Sequence, residues 1–424
     1  MRLEAALARL DSLVNWEKRA RGGLGADRMR VSLAPARDLC ERLGSPERRY
    51  RVVHVAGTKG KGSVSALVAA ALRRAGVSEG LYTSPHVECV QERLLVRGVP
   101  VADEALAGAL EAALDAREAA RASGGAAGDA TWFDVLTAAA FVVLAEERVA
   151  LAVVECGLGG RLDSTNAADG VVCAITNIYL EHTAILGDTR EAIAAEKAGI
   201  VKPGSTVVAG ALRAGDPAAR VIERVARERG ARFVRFDVDE AESLEGRNRR
   251  LAARVLLELE RVAPDLGPLP PIGEHDAFPW RLPGRAERRW TGPVRVVLDG
   301  AHVPESVALL LRDLARDPEL ARAPTVVIGM GLEKNARGML KALQARVDRV
   351  LCTSAGAGPY RSADELAALA RELGLVAQAV PDPAAALDLA VRGIGTGGWV
   401  LVTGSLHLVG AVRCRTNDHR QPSP

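Results

Sequence analysis

Val52-Val53-His54-Val55-Ala56-Gly57-Thr58-Lys59-Gly60-Lys61-Gly62-Ser63 is the stretch that decides how the first half of this chain folds. The mostly apolar run 52–56 predicts a buried strand, and the glycines after it predict a tight turn. Val64, Leu67, Val68, Ala71 and Leu72 then fall at the spacing of one helix face. A strand that feeds a glycine turn and a helix N-terminus can hold a phosphate chain, because loop N–H groups and the helix dipole both favour an anion. Gly57, Gly60 and Gly62 let the backbone approach closely, Lys61 is placed to reach the β- and γ-phosphates, and the Ser63 hydroxyl to face a metal ion. The stretch departs from the standard phosphate-loop pattern: Gly62 intervenes before Ser63, and Val55 stands where the early glycine belongs. Two lysines among three glycines still suit an anion better than a bare turn.

Upstream, residues 1–50 read as helix, turn, helix, with Leu3, Leu7, Leu10 and Val14 on one face and a glycine break at 22–25. Downstream, a strand is expected at 79–83, then a loop through Ser84, Pro85 and His86. A helix follows at 103–121, a Gly/Ala/Ser linker at 122–129 and a helix at 132–147. Buried strands at 150–154 and 170–175 end on Glu155 and on Thr176-Asn177. A helix at 189–198, a strand at 206–209 and a helix at 248–262 close the unit. Apolar strands alternating with helices predict an α/β fold whose mostly parallel sheet is covered on both faces. Residues 264–287, with Pro264, Pro268, Pro270, Pro271, Pro279 and Pro283, read as an interdomain linker. Beyond it strands are expected at 294–298, 324–329, 349–352, 376–379 and 398–402. Helices lie between them, and Leu366, Leu369, Ala370 and Leu373 share one face of one such helix. The expected organisation is therefore a P-loop-type N-terminal domain, 1–287, and a smaller Rossmann-like α/β domain, 288–424.

The bulk numbers set limits on partners. Hydrophobic residues make up 48% of the 424, enough for globular cores. The 56 basic residues against 53 acidic ones leave a net charge of +3, and aromatics are only 3%, so neither a nucleic acid nor a membrane surface is expected as a partner. The six cysteines (40, 89, 156, 173, 352 and 414) lack paired spacing, which argues against a disulfide framework or a zinc site. No apolar run is long enough to span a bilayer, and a cytoplasmic monomer is expected.

In open α/β sheets, ligands bind beyond the carboxyl ends of the strands. One such end carries the phosphate loop. Another carries Glu155, a carboxylate suited to holding magnesium beside a triphosphate. A third leads through Asn177 to Glu181 and His182, and Lys197 follows in a helix.

These residues resemble the folylpolyglutamate and dihydrofolate synthases within the Mur-type ATP-dependent amide ligases. The family loop Gly-Thr-Asn-Gly-Lys-Gly-Ser appears here as Gly57-Thr58-Lys59-Gly60-Lys61-Gly62-Ser63. The likeness runs on in order through Tyr82-Thr83-Ser84-Pro85-His86, Glu92-Arg93, Thr131-Trp132-Phe133-Asp134 and the stretch from Glu155 to Asn166. It continues through Ile175-Thr176-Asn177-Ile178 and the stretch from Glu196 to Gly204. Pro283-Gly284-Arg285, Asp299-Gly300-Ala301-His302 and Gly404-Ser405-Leu406 complete it.

The resemblance implies ATP on the loop 57–63, with Arg285 and Asp299 completing the nucleotide site. Two magnesium ions would be held by Ser63 or Ser84, by Glu155 and by His182. Lys197 would be carbamylated and help hold the second metal. Ser84, Pro85 and His86 would meet the acid substrate, and His302 and Ser405 would lie near the incoming glutamate. The implied reaction phosphorylates a carboxylate of a folate or of dihydropteroate and then transfers the acyl group to L-glutamate. Lys61, Glu155, His182 and Lys197 would carry the chemistry.

The chain also departs from the family pattern. Glu181-His182 replaces Asp-His, Val303 replaces an Asn, and His407 stands where Tyr is common. Glu333-Lys334-Asn335 replaces Asp-Lys-Asp, and Asn248-Arg249-Arg250-Leu251-Ala252-Ala253 aligns with His-Gln-x-x-Asn-Ala, removing an Asn expected near the adenine. Since the charged residues of the phosphate site are intact, a working ligase is expected. Two other readings stay open: a Mur-type ligase for another acid or amino acid, and a nucleotide-binding paralogue without ligase chemistry.

Overall fold

The computed structural model describes residues 2–16, 32–210, 212–213, 215–236, 242–272, 282–344, 346–355, 358–395 and 397–419. These fall into two compact units, one ending at 272 and one beginning at 282. The glycine break at 22–25, and Pro279 of the proline-rich stretch, lie outside the described residues.

The first unit is built on strands β1 (Arg51–Ala56), β2 (Glu79–Tyr82), β3 (Leu94–Val96), β4 (Val99–Pro100), β5 (Leu151–Glu155), β6 (Gly170–Ile175), β7 (Thr206–Ala209) and β8 (Arg232–Arg235). Their order across the sheet is β4-β3-β2-β5-β1-β6-β7-β8, parallel from β2 to β8. Only the β3–β4 end runs antiparallel. The central strands are buried along almost their whole length, which is why they read as continuous apolar runs and not as alternation.

The helices are α1 (Arg2–Asp11), α2 (Ala34–Arg42), α3 (Lys61–Arg74), α4 (Asp103–Ala122), α5 (Trp132–Glu146), α6 (Thr183–Leu186), α7 (Arg190–Ala198), α8 (Pro217–Glu228) and α9 (Leu244–Val262). Helix α5 is apolar nearly all round and almost wholly buried. It packs with Leu3, Leu10, Leu106 and Leu110 against Val52, Tyr82 and Val154 of the sheet. A second core joins Ile193 and Ile222 of α7 and α8 to Ala56, Ile175 and Val207.

Three features differ from the sequence expectations. Residues 126–129 are not a loose linker: Ala127 and Gly128 are buried, and the Ala127 N–H donates to Asp38 at 2.7 Å. Arg97 and Gly98, both at positive φ, turn a β3–β4 hairpin whose strands are too short to show a period. Strand β8 and helix α8 were also missed, because Arg232-Phe233-Val234-Arg235 has charged ends on a sheet edge.

The second unit holds β9 (Glu287–Thr291), β10 (Val294–Leu298), β11 (Thr325–Ile328), β12 (Arg349–Cys352), β13 (Ala377–Ala379) and β14 (Trp399–Thr403), in the order β13-β12-β11-β14-β10-β9. All neighbours are parallel except β9 with β10. Helices α10 (Pro304–Leu314), α11 (Ala336–Leu343), α12 (Ala363–Glu372), α13 (Pro383–Arg392) and α14 (Leu406–Arg413) complete it. Leu366, Ala367 and Ala370 of α12 close over Val350 and Cys352. Strand β9 escaped the sequence reading because Glu287 and Arg289 look like surface residues. Both are buried, and Arg413 donates to Glu287 at 3.0 Å.

Candidate active site

Strand β1 ends between two parallel neighbours, β5 and β6, and the glycine loop turns at their shared carboxyl ends. Gly57 has φ +143°, and a Cβ there would lie 1.9 Å from Thr176 Oγ1. Gly60, at φ +82°, is the left-handed residue from which α3 starts. The end of β6 holds the turn. The Lys59 N–H donates to Asn177 Oδ1 at 2.8 Å, and the Lys59 carbonyl accepts from Asn177 Nδ2 at 2.8 Å and from the Thr176 hydroxyl at 2.6 Å. Thr58 is tied to the same loop, its hydroxyl accepting the Tyr179 N–H at 3.1 Å. Beyond Gly60, the N–H groups of Lys61, Gly62 and Ser63 belong to the first helical turn, which has no intrahelical acceptors for them. That is the physical basis of an anion site.

Around this loop the structure gathers several of the expected side chains. Glu155, the last residue of β5, is 5% exposed, and its Oε2 accepts the Ser84 N–H at 3.1 Å. Lys197, on α7, is 4% exposed and donates to the Gly57 carbonyl at 2.8 Å. Burial, with the Lys61 cation as a second cause, pushes the Lys197 ammonium down to about 7. Near neutral pH a substantial share of Lys197 is thus an uncharged amine. Lys59 Nζ lies 2.7 Å from Glu181 Oε1; burial works against the charged carboxylate, but Lys59 outweighs it and holds Glu181 well below the usual range. His182 follows Glu181 at φ +53° and is exposed at the start of α6.

Ser84 and Pro85 share a cis peptide bond. His86 Nδ1 accepts from Arg93 Nε at 2.8 Å, so the neutral ring carries its proton on Nε2. Arg93 itself is buried, 4.9 Å over the Trp132 ring. Among the described residues no three His, Cys, Asp or Glu side chains converge as a ready-made metal cage. Glu155 with the Ser63 and Ser84 hydroxyls nevertheless offers hard oxygen donors. That fits magnesium, which takes one or two carboxylates together with phosphate oxygens and water.

Sequence reasoning missed the support behind the site. Asp163 accepts from the Leu158 N–H at 2.8 Å and from the Thr165 N–H at 3.1 Å, and also bonds the Thr165 hydroxyl. His54 is fully buried and pushed down to about 3, first by burial and then by Lys202. Its Nε2 lies 3.0 Å from Thr165 Oγ1 and 3.1 Å from Cys156 Sγ. Together they fix the turn that follows Glu155. A histidine inside an apolar strand was the available signal. Asn248, which stands where the family has His, is also part of this support: it is buried on α9, and a Cβ on Gly60 would lie 2.4 Å from its Oδ1.

In the second unit the expected residues gather at the carboxyl ends of the neighbouring strands β10 and β14. Asp299 accepts the Ala286 N–H on one carboxylate oxygen and the Ala301 N–H on the other, both at 2.8 Å. The Arg285 backbone is thereby held beside Gly300, where a Cβ would lie 3.2 Å from an Arg285 guanidinium nitrogen. His302 Nδ1 donates to the Gly300 carbonyl at 2.9 Å. The Ser405 hydroxyl caps α14, accepting the His407 N–H at 3.1 Å. The departures have local roles too. Asn335 caps α11 through the Gly338 N–H at 2.9 Å, and His407 packs edge-on against Tyr360.

Set beside known proteins, residues 284–406 match the family described as Mur ligase, glutamate ligase domain. The dihydrofolate synthase/folylpolyglutamate synthase of Bacillus subtilis is 40% identical over 184 residues, which are 42% of this chain and 42% of that one. The folylpolyglutamate synthase of Lacticaseibacillus casei is 31% identical over 412 residues, covering 88% of this chain and 92% of that one. Among solved structures, FolC of E. coli in complex with DHPP and ADP superposes with a TM-score of 0.76 at 27% identity, over 97% of this chain and 96% of that one. The bifunctional folylpolyglutamate synthase/dihydrofolate synthase of Yersinia pestis, complexed with AMPPNP and Mn ion, gives 0.77 at 27% identity over 97% of each.

Proposed function

Because the chain belongs to the folylpolyglutamate synthase/dihydrofolate synthase family, we propose that this ATP-dependent ligase joins L-glutamate to a folate, and also to dihydropteroate, through an acyl phosphate. The observation that carries the reading is the meeting of the carboxyl ends of β1, β2 and β5 with helix α7. They bring together a lysine-bearing glycine loop, a buried Glu155 bonded to the Ser84 backbone, and a buried Lys197 bonded to the Gly57 carbonyl. The E. coli and Yersinia pestis relatives, complexed with ADP and with AMPPNP and Mn ion, add support.

In the proposed reaction Gly57, Thr58, Lys59, Gly60, Lys61, Gly62 and Ser63 cradle the triphosphate, and Arg285 and Asp299 complete the nucleotide site. Lys61 neutralises charge building on the β- and γ-phosphates. The substrate carboxylate, positioned by Ser84, Pro85 and His86, attacks the γ-phosphorus in line, and ADP leaves. The glutamate amine, received near His302 and Ser405, attacks the acyl carbonyl, and phosphate departs with the oxygen that had bridged carbon and phosphorus.

Two magnesium ions, held by Glu155, by His182 and by Ser63 or Ser84, would add to the charge neutralisation of the phosphates. Burial favours the uncharged form of Lys197, the form that takes up carbon dioxide, and its carbamate would be a further oxygen ligand. A cytoplasmic monomer belongs to the same proposal.

The test is ADP release measured with the acid crossed over dihydropteroate and tetrahydrofolate, and the amine over L-glutamate and other amino acids. The expected result is release only when a pteroate or folate and L-glutamate are both present. Release with a different acid or amino acid alone would overturn the substrate assignment, and none with any pair would overturn the ligase reading.

A further inference from the structure

We infer that Lys59 is a second neutralising lysine of the phosphate loop, for which Glu181 and the bound triphosphate compete. The inference rests on the reading that residues 57–63 hold the triphosphate, and it adds to it a competitor for one of the loop's cations.

The geometry has three parts. Lys59 Nζ and Glu181 Oε1 are 2.7 Å apart, with side chains 22% and 20% exposed, so the pair is sheltered but reachable from solution. The Lys59 backbone is clamped on both its N–H and its carbonyl by Asn177 and Thr176. A change of partner therefore needs only rotation of the four-carbon stem, with the loop left in place. Finally, Lys61 is in the same loop and also acts on the Glu181 carboxylate, so Glu181 offsets charge where the loop's two lysines are concentrated.

The residue types suit an exchange. A lysine is a compact charge on a flexible stem with three rotatable donors, whereas an arginine on a carboxylate would be held by a rigid two-pronged contact. A triphosphate brings several negative charges against the single one on Glu181 and can take the ammonium away. Both members are departures from the family pattern, Lys59 for Asn and Glu181 for Asp, and the fold sets the two departures against each other.

The test is ATP affinity of the full chain in EDTA, by calorimetry, for the wild type, Glu181→Gln and Lys59→Met. A crystal of the wild type soaked with ATP under the same metal-free conditions accompanies it. Glu181→Gln keeps the side-chain shape, so the test does not depend on Lys59→Met folding normally. The expected result is opposite shifts, Glu181→Gln binding roughly fivefold tighter and Lys59→Met roughly fivefold weaker, with Lys59 Nζ on a phosphate in the soaked crystal. Weakening by both variants, or a Lys59 still paired with Glu181 when nucleotide is bound, would overturn the inference while the phosphate-loop reading stands. A wild type that binds no ATP, with or without magnesium, would overturn both.

Discussion

Replacing Lys197 with Met should make the protein's stability respond differently to pH, and the size of the change follows from the burial of that one amine. Lys197 is 4% exposed and its ammonium is pushed from 10.5 to about 7, chiefly by burial. The unfolded chain keeps the ordinary value. Above about 10 both states are neutral at this residue, and the folded form is at no disadvantage. As pH falls from there to about 7, the unfolded state takes up a proton that the folded state does not. Stability is lost over that window at about 1.4 kcal/mol per pH unit. Below about 7 both states are protonated and the loss, about 5 kcal/mol at most, stays constant. Lys197→Met, of similar length and with no charge to bury, lacks this dependence. Urea unfolding in buffers stripped of carbon dioxide should therefore show the wild type gaining about 2–3 kcal/mol relative to Lys197→Met between pH 7 and 9. The variant should also be inactive, with or without bicarbonate. Parallel stability profiles for the two proteins would refute the claim that Lys197 is buried as an amine. Undiminished turnover by the variant would refute the proposed carbamate.

Gly57→Ala has no room for its Cβ beside Thr176 and a φ of +143° to adopt. It should cost at least about 2–3 kcal/mol at the loop, read as a loss of kcat/KM of roughly a hundredfold. Asn177→Ala removes two hydrogen bonds that hold Lys59. It should raise KM for ATP by about tenfold with a smaller effect on kcat, as expected for about 1–2 kcal/mol of lost positioning, and steady-state kinetics will separate the two. Asp299→Ala strands the Ala286 and Ala301 N–H groups. It should destabilise the second unit by about 2–4 kcal/mol, visible as a lowered calorimetric transition.

The strands of both sheets were legible because parallel strands buried on both faces are spelled as short apolar runs, as at Leu151–Glu155 and Gly170–Ile175. The edge elements were not. Arg232–Arg235 and Glu287–Thr291 carry charges whose burial or pairing depends on partners far along the chain, such as Glu258 for Arg232 and Arg413 for Glu287. The site followed the same division. Lys61, Glu155 and Asn177 could be found because each closes or follows an apolar strand. The Lys59–Glu181 pair, the contact of His54 with Thr165 and the amide of Asn248 beside Gly60 join residues separated by an entire crossover or more. No local pattern marks such contacts until the sheet order brings them together.

The central claim is that this site makes a carboxylate oxygen attack the γ-phosphorus of ATP. The most direct measurement uses a folate or dihydropteroate substrate labelled with ¹⁸O in the reacting carboxylate, with the released phosphate analysed by mass spectrometry. One labelled oxygen in each phosphate, matched to one amide formed, is the predicted result. Phosphate that carries no label while amide accumulates would contradict it.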